Sequence, residues 1–278
     1  MALAILSHLL LILLTLSTTG FYAVEPAEDY TGLYCNPNSQ KPDNQTSSNT
    51  AKVLSVLVPA ASRDGFATAS SGESQSRVYG LAQCRGDVSP KDCSSCIRQA
   101  SLDIRTRCPD RVDARIWYEY CFMRYNTEDF IGDVDAGSGT LYANVENVTE
   151  PEKFNKALGK LEKDVAKQAT APENKGLGKG KRQLSEFVTL YALVQCTRDL
   201  SQVNCAQCLA IAVEKNFAAG GFCNNKKGCR VLYSSCYVRY ELYPFYFPLD
   251  RTGINNTAVA GGAESRNNYF STTVNYKA

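Results

Sequence analysis

The sequence predicts an α+β protein made of two tandem copies of one disulfide-stapled domain, each with two helices packed on an antiparallel sheet. Three observations carry this expectation. A cysteine-containing block occurs twice with its spacing intact, an even set of twelve cysteines lies beyond an apolar leader, and helical and strand-like patterns flank the repeat in the same order each time.

The leader comes first. Residues 1–23 hold an apolar run from Leu9 to Leu16, then Ser17, Thr18, Thr19 and Gly20. An apolar core followed by small residues is a signal-peptide pattern. The usual basic start is missing, since no Lys or Arg precedes Lys41. The run is shorter than the roughly 20 apolar residues a membrane span needs. No later stretch does better, and the polar residues 267–278 do not fit a lipid-anchor tail. The expectation is a soluble chain secreted to the extracellular space with no membrane insertion.

About 255 residues follow the leader, enough for one large or two small domains. Small domains bury too little apolar surface to be very stable alone, and cross-links compensate. Net charge is +2, which disfavours nucleic acid or an anionic membrane as the general partner. The exception is the run 175–182, KGLGKGKR, read here as a solvated hairpin tip. The single histidine, His8, lies in the leader. Ser-His-Asp and Cys-His catalysis are thereby removed in their usual form, as is any zinc site with histidine ligands. No cofactor or metal is implied, and the chain does not read as an enzyme.

The repeat sets the architecture. Gln83 to Cys96 reads QCRGDVSPKDCSSC, and Gln195 to Cys208 reads QCTRDLSQVNCAQC. Both are C-x8-C-x2-C, with Asp87 matching Asp199 and Ser89 matching Ser201. Downstream, RIWYEYCFMRY from Arg115 matches RVLYSSCYVRY from Arg230. A helix should open at Ser89 as N-cap, with Pro90 first and Asp92 third, and run to about residue 107. Its counterpart is 201–217. An earlier helix is expected over 51–61, matched by 151–168, where Phe154, Leu158, Leu161 and Val165 form an apolar stripe and Thr149 is a candidate cap. Aromatic and β-branched runs place strands at 65–70, 77–84, 115–125 and 139–144, with counterparts at 187–196 and 230–240. The domains are then 27–130 and 138–247, joined by a linker near 126–138. Residues 248–278 read as a loosely packed tail.

C-x2-C has three readings. A redox motif requires a thioredoxin-like βαβ unit, which is missing here. An all-cysteine zinc site needs four thiolates per metal, and an oxidising compartment argues against it. Structural disulfides are the favoured reading. The sequons at Asn44, Asn147 and Asn255 are glycosylation candidates in a secreted chain. Glu119 in copy one is replaced by Ser234 in copy two. No symmetrical acid pair stands out for glycoside hydrolysis, so the acids read as exposed. The repeated Arg115 and Arg230 have two readings: a cap on a strand end, or a fork of donors for sugar hydroxyls or a partner carboxylate.

These residues resemble a known family. The C-x8-C-x2-C block, the downstream R-(x5)-C and the YGLAQC lead-in at Tyr79 to Cys84 are similar to ginkbilobin-like (stress/antifungal) domains. Two such domains behind a leader resemble the plant cysteine-rich repeat secretory proteins, over about residues 30–246. The resemblance implies two helices on a five-stranded antiparallel sheet in each copy. It implies the disulfides Cys84–Cys93, Cys96–Cys121 and Cys35–Cys108, then Cys196–Cys205 and Cys208–Cys236. Copy two lacks a counterpart of Cys35 but carries Cys229 where copy one has Ala114, so Cys223 is expected to pair with Cys229.

A ginkbilobin-like lectin binds mannose through an Asn, an Arg and a Glu. In copy one these fall on Asn36, Arg115 and Asn126, an Asn replacing the Glu. In copy two they fall on Arg230 and Glu241, with Asn144 as the best-spaced Asn. The resemblance therefore implies a mannose-type lectin with an antifungal or stress-defence role, bound to mannose-containing glycans of fungal or plant cell walls. The departures from the triad leave a second expectation: an extracellular protein-interaction module, a ligand or co-receptor of membrane receptor kinases.

Overall fold

A computed structural model describes residues 30–248 and 268–275. The leader, Asn255 and most of the expected tail lie outside the described residues. The described chain forms β1 (Gly32–Cys35), α1 (Asn44–Asp64), β2 (Phe66–Ser71), β3 (Val78–Cys84), α2 (Pro90–Arg107), β4 (Ala114–Trp117) and β5 (Cys121–Asn126). It continues with β6 (Ser138–Asn144), α3 (Pro151–Thr170), β7 (Leu177–Gln183), β8 (Thr189–Cys196), α4 (Gln202–Phe217), β9 (Cys229–Tyr233), β10 (Cys236–Glu241) and β11 (Tyr269–Asn275).

The sheets run β1-β4-β5-β3-β2 and β11-β6-β9-β10-β8-β7, and every pairing is antiparallel. Apart from β11, the second order repeats the first strand for strand. In each copy one sheet face meets the two helices. Val78, Ala82 and Cys84 of β3 point into the first core, and Leu190, Ala192, Val194 and Cys196 of β8 into the second.

The caps follow the sequence. Ser89 and Ser201 accept the amides of Asp92 and Asn204, each at 3.1 Å, and Pro90 opens α2. Helix α1 is longer than its apolar stretch, because Thr46, Asn49 and Thr50 are buried polar residues that periodicity does not register. Asp43 caps it through the Thr46 amide at 2.7 Å. Thr149 is not the cap of α3: Glu150 holds that position without a side-chain bond. Six disulfides join Cys35–Cys108, Cys84–Cys93, Cys96–Cys121, Cys196–Cys205, Cys208–Cys236 and Cys223–Cys229.

Four strand expectations need correction. The runs 115–125 and 230–240 each bend back as a hairpin, β4–β5 and β9–β10. The turns, Tyr118 to Tyr120 and Ser234–Ser235, have side chains that do not mark a reversal. Strand β1 was too short to register. The run KGLGKGKR is strand β7, not a solvated tip. Gly178 and Gly180 lie against α3, while Lys179 points the other way, over the Tyr246 ring at 5.7 Å. Finally, residues 269–275 are no loose tail. They pair with β6 from Tyr269↔Asn144 to Asn275↔Ser138 and give the second sheet a sixth strand.

Helices α1 and α3 match position by position: Val53 with Leu161, Leu57 with Val165, Ala61 with Ala169. Glu162 falls where copy one has Leu54. It is 8 % exposed, and its Oε1 has no partner among the described residues. Burial pushes its carboxyl up to about 8. The folded state thus holds a proton that the unfolded chain releases near 4.5, and stability falls as pH rises from about 4.5 to about 8. Glu162→Gln should flatten that slope and add on the order of 2 kcal/mol at pH 7.5, after allowing for water penetration. Urea denaturation at pH 5 and pH 7.5 measures it, and an unchanged slope would contradict a buried neutral Glu162.

Candidate functional site

The sheet faces turned away from the helices face each other, so the two copies meet across a seam. Its centre is a crossed exchange. Gln83 Nε2 donates to the Cys196 carbonyl at 2.9 Å, and Gln83 Oε1 accepts the Arg198 amide at 2.9 Å. Gln195 Nε2 donates to the Cys84 carbonyl at 3.1 Å, and its Oε1 accepts the Gly86 amide at 3.0 Å. Each glutamine precedes the first cysteine of the repeated block and reads the backbone of the other copy's block. The repeated aspartates act likewise. Asp87 accepts the Phe247 amide at 2.6 Å and Asp199 the Gly132 amide at 2.8 Å, so each tethers the chain leaving the other copy's last repeat strand.

Flanking this centre are two arginine clusters. In copy two, Arg230 and Arg239 sit side by side across β9 and β10. Glu119, from the β4–β5 turn, meets Arg230 at 2.7 Å, Arg239 at 2.6 Å and Arg85 at 2.9 Å. Burial would raise Glu119, but Arg239, Arg230 and Arg85 together hold it down at about 2. The reading of Glu119 as an exposed acid is therefore wrong: it joins the two copies. In copy one, Arg115 and Arg124 share Asp135 at 2.9 and 3.1 Å. Burial opposes the charge of Asp135, while Arg115 and Arg124 pull its carboxyl below its ordinary value. Asp135 replaces the carboxylate missing at Ser234. The linker brings it there, its backbone pinned to Ser235 through the Asp135 amide at 2.8 Å and the Asp135 carbonyl at 3.2 Å.

Of the six residues of the expected sugar triads, Asn36, Arg115, Asn144 and Arg230 sit at the outer strand pairs β1/β4 and β6/β9, while Asn126 ends β5 and Glu241 ends β10. Register places Tyr34 opposite Arg115 and Tyr142 opposite Arg230. Asn36 and Asn144 therefore occupy equivalent positions. Their side chains also make the same turn, accepting the Asn38 amide at 3.0 Å and the Glu146 amide at 2.9 Å. In copy two, Glu241 is fully buried, with Oε1 at 2.8 Å from Arg239 and 3.5 Å from Arg230. Gly228 makes room for it, since a Cβ there would lie 1.9 Å from Glu241 Oε2.

Copy one solves the same problem differently. Asn126 does not join the cluster; its oxygen accepts the Glu128 amide at 3.2 Å. The carboxylate comes from Asp113, at the position of Gly228, which accepts from Asn36 Nδ2 at 2.9 Å and lies 3.6 Å from Arg115. Sequence reading missed Asp113, and the exchange of Gly228 for an acid two residues before the repeated arginine is the signal that would have found it.

Copy two opens a cleft here, of about 210 Å³, lined by Asn144, Glu146, Lys227, Glu241, Leu242, Tyr243 and Asn268. Strand β11 lies over it. The Tyr269 hydroxyl donates to Glu241 Oε2 at 2.5 Å, and its ring lies 5.6 Å from the Arg230 guanidinium. Burial and the charge of Glu241 push the Tyr269 hydroxyl well above its ordinary pKa, so it stays a donor.

Residues 34–128 and 142–243 match the family described as salt stress response/antifungal. The chain is 54 % identical over 221 residues to cysteine-rich repeat secretory protein 55 of Arabidopsis thaliana, covering 78 % of this chain and 83 % of that protein. It is 39 % identical over 193 residues to the antimicrobial ginkbilobin-2-like protein of Castanea crenata, covering 69 % and 77 %. Among solved structures, the tandem DUF26 ectodomain of the Arabidopsis thaliana cysteine-rich receptor-like protein PDLP8 superposes with TM-score 0.65 at 30 % identity, over 77 % of this chain and 98 % of that one. Among the described residues no helix is long and apolar enough to cross a membrane.

Proposed function

The chain belongs to the salt stress response/antifungal family, and from that premise we propose that it is a secreted defence and stress-response protein of the plant apoplast that binds a mannose-containing cell-wall glycan and performs no catalysis. One observation carries the reading. Each copy gathers an amide, a guanidinium and a carboxylate at the same place: Asn144, Arg230 and Glu241 in one, Asn36, Arg115 and Asp113 in the other. Sugar hydroxyls both donate and accept, and this trio offers donors and acceptors of both kinds. The cleft beside Asn144 and Glu241 favours copy two as the binding copy. A monosaccharide gains few bonds against water, so each site is weak, and multivalent glycans would be the effective ligands. Asn44 and Asn147 present exposed side chains for glycosylation of the chain itself.

A glycan array and a mannan pull-down with the oxidised chain test the proposal. Mannose-selective binding is expected, weakened at least tenfold by Asn144→Ala, about 1.4 kcal/mol, and further by Asn144→Ala with Glu241→Gln. Absence of glycan binding by a chain with intact disulfides would overturn it. That result would favour the second reading, a protein partner such as a membrane receptor kinase. The ion pairs that already engage Arg115 and Arg230, with Tyr269 lying over the latter, support this alternative.

A further inference from the structure

The exposed face of α3 carries a second feature. Lys156, Lys160, Lys163 and Lys167 are all exposed and lie four, three and four residues apart, which stacks them in one line along a helix. The line extends about 16 Å at 1.5 Å per residue. None of the four takes part in a salt bridge among the described residues. Lys153, which would extend the line, is held by Glu150 at 3.0 Å. Asp164 stands one turn beyond Lys160 but meets Arg182 at 3.0 Å, and Glu152 stands one turn before Lys156. Like charges at these spacings oppose helix formation. The matching helix α1 does not repeat the pattern: its equivalents are Ser48, Lys52, Ser55 and Pro59.

We propose that the Lys156–Lys160–Lys163–Lys167 line is a docking strip for a linear acidic polysaccharide, a uronate polymer of the extracellular matrix. A uronate chain presents one carboxylate per sugar, at intervals comparable to the helix pitch of about 5.4 Å. Lysine ammonium groups are mobile point charges that suit such a ligand without fixed geometry. The apolar stripe of α3 is spent in the core, with Phe154, Leu158, Leu161 and Val165 all buried, so no apolar surface beside the lysines can enter a bilayer. No aromatic side chain interrupts the line to stack on bases.

The test is co-sedimentation of the full oxidised chain with polygalacturonate, with fully methyl-esterified polygalacturonate, and with phosphatidylserine-containing vesicles, at low and at physiological salt. The expected result is binding to the free-acid polymer only, weakening steeply with salt. It should fall at least tenfold in a four-fold Lys→Gln variant at these positions and persist in the four-fold Lys→Arg variant. A control with Lys41, Lys52, Lys91 and Lys215 changed to Gln makes the same net-charge change and should retain binding. No binding to the free acid, equal loss in the control, or preference for vesicles would each overturn the proposal. Mannan binding through the Asn144 cleft is scored separately, so neither outcome there decides this one.

Discussion

Glu119→Ala is expected to destabilise the folded chain by about 3–5 kcal/mol, the range for removing one partner from a buried ionic cluster. Three guanidinium groups converge on this carboxylate within 2.6–2.9 Å, and the side chains of Arg85 and Arg239 are 4 % and 3 % exposed. Alanine would leave Arg85 with Asp87 alone and Arg239 and Arg230 with Glu241 alone, three guanidinium groups against two carboxylates. Urea titration should show a lower midpoint, and its m-value tells whether unfolding remains one transition. A fall in m, or two transitions, would mean the copies have separated before unfolding. The sign with pH is fixed as well. The folded-state pKa of Glu119 lies near 2, below the ordinary 4.5. Its contribution is full above about pH 4.5 and disappears as pH falls towards 2. The alanine variant should therefore lose its deficit relative to wild type in acid. A loss under 1 kcal/mol at pH 7 would show that the cluster behaves as a solvent-screened surface pair.

Gly178→Ala comes next, at about 3 kcal/mol or more, the upper end for overpacking. A Cβ on Gly178 would stand 1.8 Å from the Val165 carbonyl oxygen and 3.0 Å from the Ala169 amide nitrogen. Both are backbone atoms of α3, and no rotamer change can relieve the clash. The equivalent residue of copy one, opposite the matching position of β3, is Ala67, so α1 already stands clear of β2 by a methyl group. Ala67→Gly should therefore cost far less, through backbone entropy and one lost methyl contact. Thermal melts of the two variants compare the effects directly. Equal shifts would contradict the closer helix–sheet approach in copy two.

The sequence made the duplicated frame legible because the constraints that build it are local or repeated. Ser89 and Ser201 cap helices by a rule that spans three residues, and the cysteine pairs recur at fixed spacing. Strand β7 was misread because its Gly–Lys alternation carries no apolar face. Its burial against α3 comes from the absence of side chains, which a hydrophobic pattern cannot display. Strand β11 was missed because its pairing partner, β6, lies over a hundred residues earlier. The candidate triad positions came from likeness, but their surroundings did not. That Arg230 would meet Glu119 from the other copy, and that Asp113 would stand in for Asn126, are tertiary facts with no periodicity. The repeated Asp87 and Asp199 were visible as a match, yet their task of receiving the other copy's outgoing chain depends wholly on how the copies face each other.

The crossed glutamines have a wider consequence. A contact in which Gln83 reads the Cys196 backbone while Gln195 reads that of Cys84 is isologous, the form that two-fold symmetric dimers use. Fusion of the two halves makes that union unimolecular, so it no longer depends on protein concentration. One half can give up an anchoring glutamate for Ser234 while a neighbouring stretch provides Asp135, and the other can keep a plain helix while its twin becomes cationic. The joined chain behaves as a dimer that cannot dissociate and is therefore free to become asymmetric.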